Sequence, residues 1–212
     1  YGETGGTELK LLEKKGFKLK QIVMQRGGVN LFYDIITLLS IWNFIRKEKP
    51  DIAHLVTIKP YLYGGIISRL INVPCLVSAV SGLGSLFIGD DLKSKFLRLF
   101  LYPVYKFAFN HFNQKIIFQN EDDLKVLVDW GVLNSYKVKI LKGSGVELKN
   151  FTNLMEPGGI PIICFAARLL RDKGVYEFIN AAKLIKERGI KARFLLAGDL
   201  DISNPTGLKF ED

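Results

Sequence analysis

Arg168 and Lys173 lie in the run Cys164-Phe165-Ala166-Ala167-Arg168-Leu169-Leu170-Arg171-Asp172-Lys173-Gly174, which follows apolar residues and precedes an amphipathic stretch. The pattern reads as a buried strand entering a cationic turn that opens a helix. Both cations then sit at the strand's carboxyl end, the edge where open α/β sheets bind ligands and where a helix amino terminus already favours anions. Left empty, two exposed cations there oppose the helix dipole at about 0.3–1 kcal/mol each. A bound anion reverses that sign, and two fixed cations suit a diphosphate. The plainer alternative is a solvated turn.

A second set is Ser81-Gly82-Leu83-Gly84-Ser85, directly after an apolar run ending at Val80. Gly82 and Gly84 let backbone N–H groups approach a ligand, and Ser81 adds a hydroxyl donor. A tight strand-to-loop turn would look the same. His54 and Lys59 follow or end another apolar run. Lys59 is a candidate contact for an acceptor phosphate; His54 is either a substrate contact or a core-edge histidine satisfied by a hydrogen bond. With only His54 and His111 in the chain, a histidine-based metal site is not expected. No hydrolase-like set of serine, histidine and acid and no Walker loop appears.

Residues 93–112 hold Lys93, Lys95, Arg98, Lys106 and His111 among apolar and aromatic residues that include Phe96, Leu97, Leu99, Phe100, Leu101, Tyr102, Phe107, Phe109 and Phe112, with no acid. A basic helix with exposed aromatics is what an interfacial membrane anchor requires. A core helix interrupted at Pro103, with an ordinary basic outer face, is the alternative. Nucleic acid is not expected, because no recognised binding module frames these residues.

The elements that must position these groups alternate from end to end. Short β-rich runs at 17–24, 51–56, 75–80, 115–119 and 138–141 are separated by amphipathic segments, the pattern of βαβ units on a parallel sheet. Asn30 and Asn120 are N-caps, the second followed by Glu121, Asp122 and Asp123 in the first turn. Residues 1–150 form a first domain of such βαβ units and 151–160, rich in Asn, Gly and Pro, a linker. The cycle restarts at 162–166, with a helix at 175–188 and a strand at 193–197, so 161–212 is the beginning of a second domain. One helix and two strands cannot cover a sheet's two faces, so that domain is expected to be incomplete.

The net charge of +9 suits a phosphorylated substrate or an anionic membrane surface and is silent on fold. Cys75 and Cys164 lie far apart in apolar runs and read as buried thiols in a reducing compartment. No signal peptide opens the chain, and no apolar run reaches the roughly 20 residues of a spanning helix. A cytoplasmic location is expected.

Several segments in order resemble one family. Pro50-Asp51-Ile52-Ala53-His54, Thr57-Ile58-Lys59-Pro60, the Ser81-Gly82-Leu83-Gly84 loop, Phe118-Gln119-Asn120-Glu121 and Gly143-Ser144-Gly145-Val146-Glu147 look like the amino-terminal half of family 4 retaining glycosyltransferases of the capsule and O-antigen type. The 168–174 turn, Gly198-Asp199-Leu200-Asp201 and Asn204-Pro205 look like its donor half. The resemblance implies a GT-B fold, an acceptor domain followed by a nucleotide-sugar domain, and no cofactor or required metal. It implies that Arg168 and Lys173 hold the donor diphosphate and stabilise charge on leaving UDP. Gly198, Asp199, Asp201 and Asn204 would lie by the nucleotide or sugar, and Ser81, Gly82, Gly84, Lys59 and His54 on the acceptor side. The implied reaction moves a hexose or N-acetylhexosamine from a UDP-sugar to a lipid-diphosphate-linked acceptor, on the inner face of the cell membrane.

Two departures accompany it. Many members have histidine or threonine where Ser81 stands, and the family's paired glutamates would fall after Asp212. A fragment truncated at both ends is therefore expected. A non-catalytic, membrane-peripheral or decayed fragment is the alternative, and a GT-B epimerase or phosphorylase a third reading.

Overall fold

The computed structural model describes residues 7–24, 30–84, 87, 92–143, 145–200 and 206–208. They form two compact units, Tyr1–Val146 and Glu147–Asp212. The first contains α1 (Thr7–Lys14), α2 (Leu31–Glu48), β1 (Ile52–Val56), a π-helical turn (Pro60–Gly64), α3 (Gly65–Ile71), β2 (Cys75–Val80), α4 (Leu92–Ala108), β3 (Gln114–Phe118), α5 (Glu121–Asp129) and β4 (Val138–Ile140). The strands pair in parallel in the order β1-β2-β3-β4. Parallel neighbours need crossovers, and the helices supply them while covering the sheet.

Local chemistry explains the ends of the helices. The Asn30 side chain accepts from Tyr33 N at 3.4 Å to start α2, and Asn120 accepts from Asp123 N at 2.7 Å to start α5. Lys49, in the left-handed region at φ 46, closes α2 just before Pro50. Two apolar clusters follow. One lies under α2 and α3 around Ile41, Ile45, Ile67, Val73 and Leu76. The other lies under α4 and α5 around Tyr61, Tyr105, Phe109, Ile116, Phe118 and Leu127.

The expected strand at 17–24 is not formed. Among the described residues β1 pairs only with β2, and the Val23 carbonyl accepts the Thr37 hydroxyl at 2.8 Å instead of a ladder N–H. The segment is laid against α2 with Ile22 and Met24 on the core.

The second unit has β5 (Ile162–Ala166), a 3₁₀ turn (Arg171–Lys173), α6 (Val175–Glu187) and β6 (Arg193–Ala197), with β5 and β6 parallel. Its core is small, built on Leu169, Val175 and Leu208. Ile162, Ile163, Leu195 and Leu196 stay exposed, as does Cys164. The reading of both cysteines as buried is thus corrected: Cys75 is half-buried, and Cys164 is exposed, next to Phe165, whose ring packs against Phe178 of α6.

His111 and Lys137 are buried behind the end of α4. The His111 Nδ1 accepts from Asn113 N at 3.2 Å and Lys137 Nζ donates to the His111 carbonyl at 2.8 Å. Burial, and then the nearby charges of Lys137 and Arg69, hold the imidazole below its ordinary pKa; two backbone contacts oppose that only in part. The folded state thus favours neutral His111, while the unfolded chain takes up a proton below pH ~6.5. Stability from this site is present above that pH and is lost on acidification. Denaturant midpoints should fall between pH 7.5 and pH 5, and His111→Asn, which keeps an acceptor near the Nδ1 position, should flatten that slope.

Candidate functional site

Parallel strands end at a common edge, so each unit gathers its loops where the strands finish. In the second unit β5 leads into Arg168 and then into the 3₁₀ turn, which Gly174 (φ 84) turns into α6. Arg168, two residues past the end of β5, and Lys173, the last residue of the 3₁₀ turn, are both exposed. The β6 end is stitched to this segment: Ala167 N donates to the Ala197 carbonyl at 3.1 Å and Leu169 N to the Asp199 carbonyl at 3.3 Å. Gly198 is required there, because a Cβ would run into the carbonyl oxygen of Ala167. Arg168, Gly198 and Asp199 are therefore brought together. Asp201 and Asn204 lie outside the described residues.

Residues 206–208 lace the turn from its other side. Arg171 N donates to the Thr206 carbonyl at 2.8 Å, Leu208 N to the Leu169 carbonyl at 3.0 Å, and the Thr206 hydroxyl to Asp172 Oδ2 at 3.1 Å. The one acid of the turn thus has a hydroxyl partner. The Arg171 guanidinium lies 5.5 Å from the Tyr176 ring centroid.

In the first unit the loops after β1 and β2 meet. Gly84 adopts φ 70, a conformation that L side chains rarely take, and a Cβ there would lie 2.7 Å from Ile58 Cδ1. Gly82 also has a positive φ, Leu83 is buried beneath, and Ser81 is exposed. Thr57 adopts φ 73, a conformation that costs a β-branched residue about 1–3 kcal/mol and that clusters at functional edges. Ser85 lies outside the described residues.

Two placements differ from expectation. Lys59 is half-buried and forms an ion pair of 3.0 Å with Asp34, in the first turn of α2. Its ammonium also lies 6.0 Å from the Tyr63 ring, whose hydroxyl bonds Asp34; burial, then that carboxylate, raises the Tyr63 phenol above its ordinary pKa. Asp34 and Tyr63 were invisible in the sequence, 25 and 4 residues from Lys59, without a shared motif. His54 is exposed mid-strand, opposite Val77, rather than at the carboxyl edge or the core's rim. Among the described residues no three His, Cys, Asp or Glu side chains group as metal ligands.

Residues 10–120 match the family model described as "Glycosyl transferase 4-like". The chain is 26% identical, over 94% of its length and 55% of the relative's, to the N,N'-diacetylbacillosaminyl-diphospho-undecaprenol alpha-1,3-N-acetylgalactosaminyltransferase of Campylobacter jejuni. It is 26% identical to the UDP-Gal:alpha-D-GlcNAc-diphosphoundecaprenol alpha-1,3-galactosyltransferase of Escherichia coli, over 84% of this chain and 48% of that protein. It is 25% identical to the capsular polysaccharide biosynthesis glycosyltransferase CapM of Staphylococcus aureus, over 94% of this chain and 53% of that one. The chain spans about half the length of the curated relatives it matches. A glycosyltransferase from Rickettsia africae superposes with a TM-score of 0.57 at 19% identity, over 92% of this chain and 50% of that one. That likeness shows the fold, α/β with the Rossmann-like parallel sheets of the GT-B type.

Gly198→Ala tests the edge of the second unit. The obstructing atom is backbone, which cannot swing away, so urea denaturation should show a loss of about 1–3 kcal/mol. Gly158→Ala, whose Cβ would meet nothing within 4 Å, should stay near wild type.

Proposed function

Since the chain belongs to the glycosyl transferase 4-like family, we propose that it serves to move a hexose or N-acetylhexosamine from a UDP-sugar to a lipid-diphosphate-linked acceptor, with retention at the anomeric carbon. The product would enter cell-surface polysaccharide. The observation that carries this reading is the carboxyl edge of β5 and β6, where Arg168 stands against Gly198 and Lys173 closes the 3₁₀ turn that leads into α6.

In this reading the second unit holds the donor. As the bond from the sugar to the diphosphate breaks, negative charge collects on the leaving phosphate oxygen. The Arg168 guanidinium and Lys173 ammonium are already at that edge and stabilise the charge without reorganising. Asp199, with Asp201 and Asn204, contacts the sugar or nucleotide. The first unit takes the acceptor at Ser81, Gly82 and Gly84, with Lys59 held beside them by Asp34. A mid-strand exposed His54 is the weakest member of the set. No cofactor beyond the donor substrate enters the reaction.

The acceptor's lipid accounts for α4. Leu92, Phe96, Leu99 and Phe100 are 85, 63, 70 and 62% exposed, spaced to share one helical face, and the helix carries no acid. Its opposite side is in the core through Tyr105 and Ala108. Among the described residues no helix is long and apolar enough to cross a membrane. We place α4 flat in an anionic interface on the inner face of the membrane, its stripe in the acyl boundary and its cations at the headgroups. The acceptors named for the C. jejuni and E. coli relatives, both undecaprenol diphosphates, support this reading.

Incubating the full-length polypeptide with UDP-sugars and an undecaprenyl-diphosphate-linked sugar should yield an extended lipid. Arg168→Ala or Lys173→Ala should lower turnover about 10²–10³-fold; unchanged turnover would remove both from the chemistry. In sedimentation with phosphatidylglycerol vesicles, wild type should pellet in low salt, and Phe96→Asp with Leu99→Asp should stay in solution. Equal pelleting would discard the α4 anchor.

A further inference from the structure

The strand β5 ends at Ala166, so Arg168 and Lys173 both stand on backbone outside it. The 3₁₀ element Arg171–Lys173 is a single turn, and its N-cap is Leu170, whose side chain has no acceptor. Such turns have poor hydrogen-bond geometry and little stability of their own. Yet cations that meet a developing charge without reorganising need a backbone that is already fixed.

Residues 206–208 supply that fixing. They lie across the segment as an antiparallel strap, with Gly207 opposite Leu170. On either side of this bridge Arg171 N donates to the Thr206 carbonyl and Leu208 N to the Leu169 carbonyl, and the Leu208 side chain is buried with Leu169 and Val175. A side-chain bond adds to these backbone ties: the Thr206 hydroxyl donates to Asp172 Oδ2 at 3.1 Å. Asp172 stands between Arg171 and Lys173, an acid in a turn that the proposed reaction gives to an anion. A carboxylate turned toward a diphosphate would repel it. The bond to Thr206 instead directs one of its oxygens to the strap.

We propose that Thr206 and Asp172 are positioning residues of the donor site: their bond sets the strap against the turn and so fixes where Arg168 and Lys173 stand. The role rests on the reading of the second unit as the donor's, while the strap itself is built from contacts between residues 169–172 and 206–208. The bond is exposed and adds little to folding. Its effect falls on the cations that follow and precede it in the turn, Lys173 first, because Lys173 is the next residue after Asp172 and its N–H closes the turn on the Leu170 carbonyl at 3.0 Å.

Two measurements on the full-length polypeptide test this, amide hydrogen exchange without nucleotide and calorimetric titration with UDP alone. Thr206→Val keeps the shape and removes the hydroxyl. It should speed exchange of the Arg171 amide and weaken UDP, each about fivefold, with a urea midpoint near that of the wild type. Thr206→Ser should restore both. Asp172→Asn and Asp172→Ala both remove the charge, but only Asn keeps an acceptor, so the Asn variant should bind UDP more tightly than the Ala variant. In a Lys173→Gln background Thr206→Val should cost at most about half the factor it costs in the wild type, since two changes that act through one cation do not add. Unchanged exchange at Arg171 overturns the strap whatever UDP does. Wild-type UDP affinity in Thr206→Val, with Lys173→Gln weakened, sinks the positioning role alone, and so does an undiminished cost in the Lys173→Gln background. A urea midpoint that falls with UDP affinity and is not rescued by Thr206→Ser assigns the bond to folding and overturns the role. UDP binding that neither Arg168→Ala nor Lys173→Gln weakens removes the donor reading, and the positioning role with it, even where exchange at Arg171 responds as expected.

Discussion

Helix α4 is fixed by a close backbone approach at its carboxyl end, and much of the first unit is arranged around it. A Cβ on Gly65 would stand 2.9 Å from the Ala108 carbonyl oxygen, so α3 and α4 touch where neither can carry a larger side chain. The neighbouring Gly64 is equally tight, its absent Cβ 2.6 Å from a Leu55 methyl on β1. One cation then answers the negative end of the helix, and a second bonds the chain just beyond it. The Arg69 guanidinium donates to the Phe107 carbonyl at 3.1 Å and lies 4.1 Å from that ring's centroid, while Lys137 donates to the His111 carbonyl. Cations at a helix carboxyl terminus stabilise it, more so when part-buried.

That anchoring divides the helix lengthwise and by function. Tyr105, Ala108 and Phe109 are locked in the core at the carboxyl end, where the Tyr61 ring meets that of Phe109 at a tilt with centroids 5.3 Å apart. Pro103 is tolerated on the exposed side, and the amino-terminal turns can present Phe96, Leu99 and Phe100 outward because the far end already holds the helix. An apolar stripe of that size is unfavourable in water and calls for a partner surface. The same anchoring fixes Tyr105 against Trp130, their ring centroids 5.1 Å apart.

The parallel sheets impose a second order. Strands that run the same way end together, so β1 and β2 bring Ile58 against Gly84, and β5 and β6 bring Arg168 against Gly198. In both places a missing Cβ makes the room, at Gly198 for the Ala167 backbone and at Gly84 for the Ile58 side chain. The device is local to each unit and repeats in both.

Much of this was legible. The strands at 75–80, 162–166 and 193–197 are observed at their expected bounds, because each is a short β-rich run between turn residues. The two asparagine caps are where the sequence put them, since capping depends on a side chain and a backbone N–H three residues on. Residues 17–24 show the limit: their composition favours a strand, and the outcome hung on whether a ladder partner lay beside them. Cys164 fits a buried strand by its neighbours, yet it is exposed on a two-stranded sheet.

The amino-acid sequence by itself determined the alternation of elements, the cationic turn of Arg168 and Lys173, the glycine loop and the acid-free basic helix, because each is a pattern among residues near in the chain. Tertiary structure alone decided that Lys59 is paired with Asp34, that His54 stands mid-strand in the open, and that Trp130 packs against Phe87 and Tyr105. These are contacts between distant segments, set by sheet register and helix packing, and no local pattern encodes them.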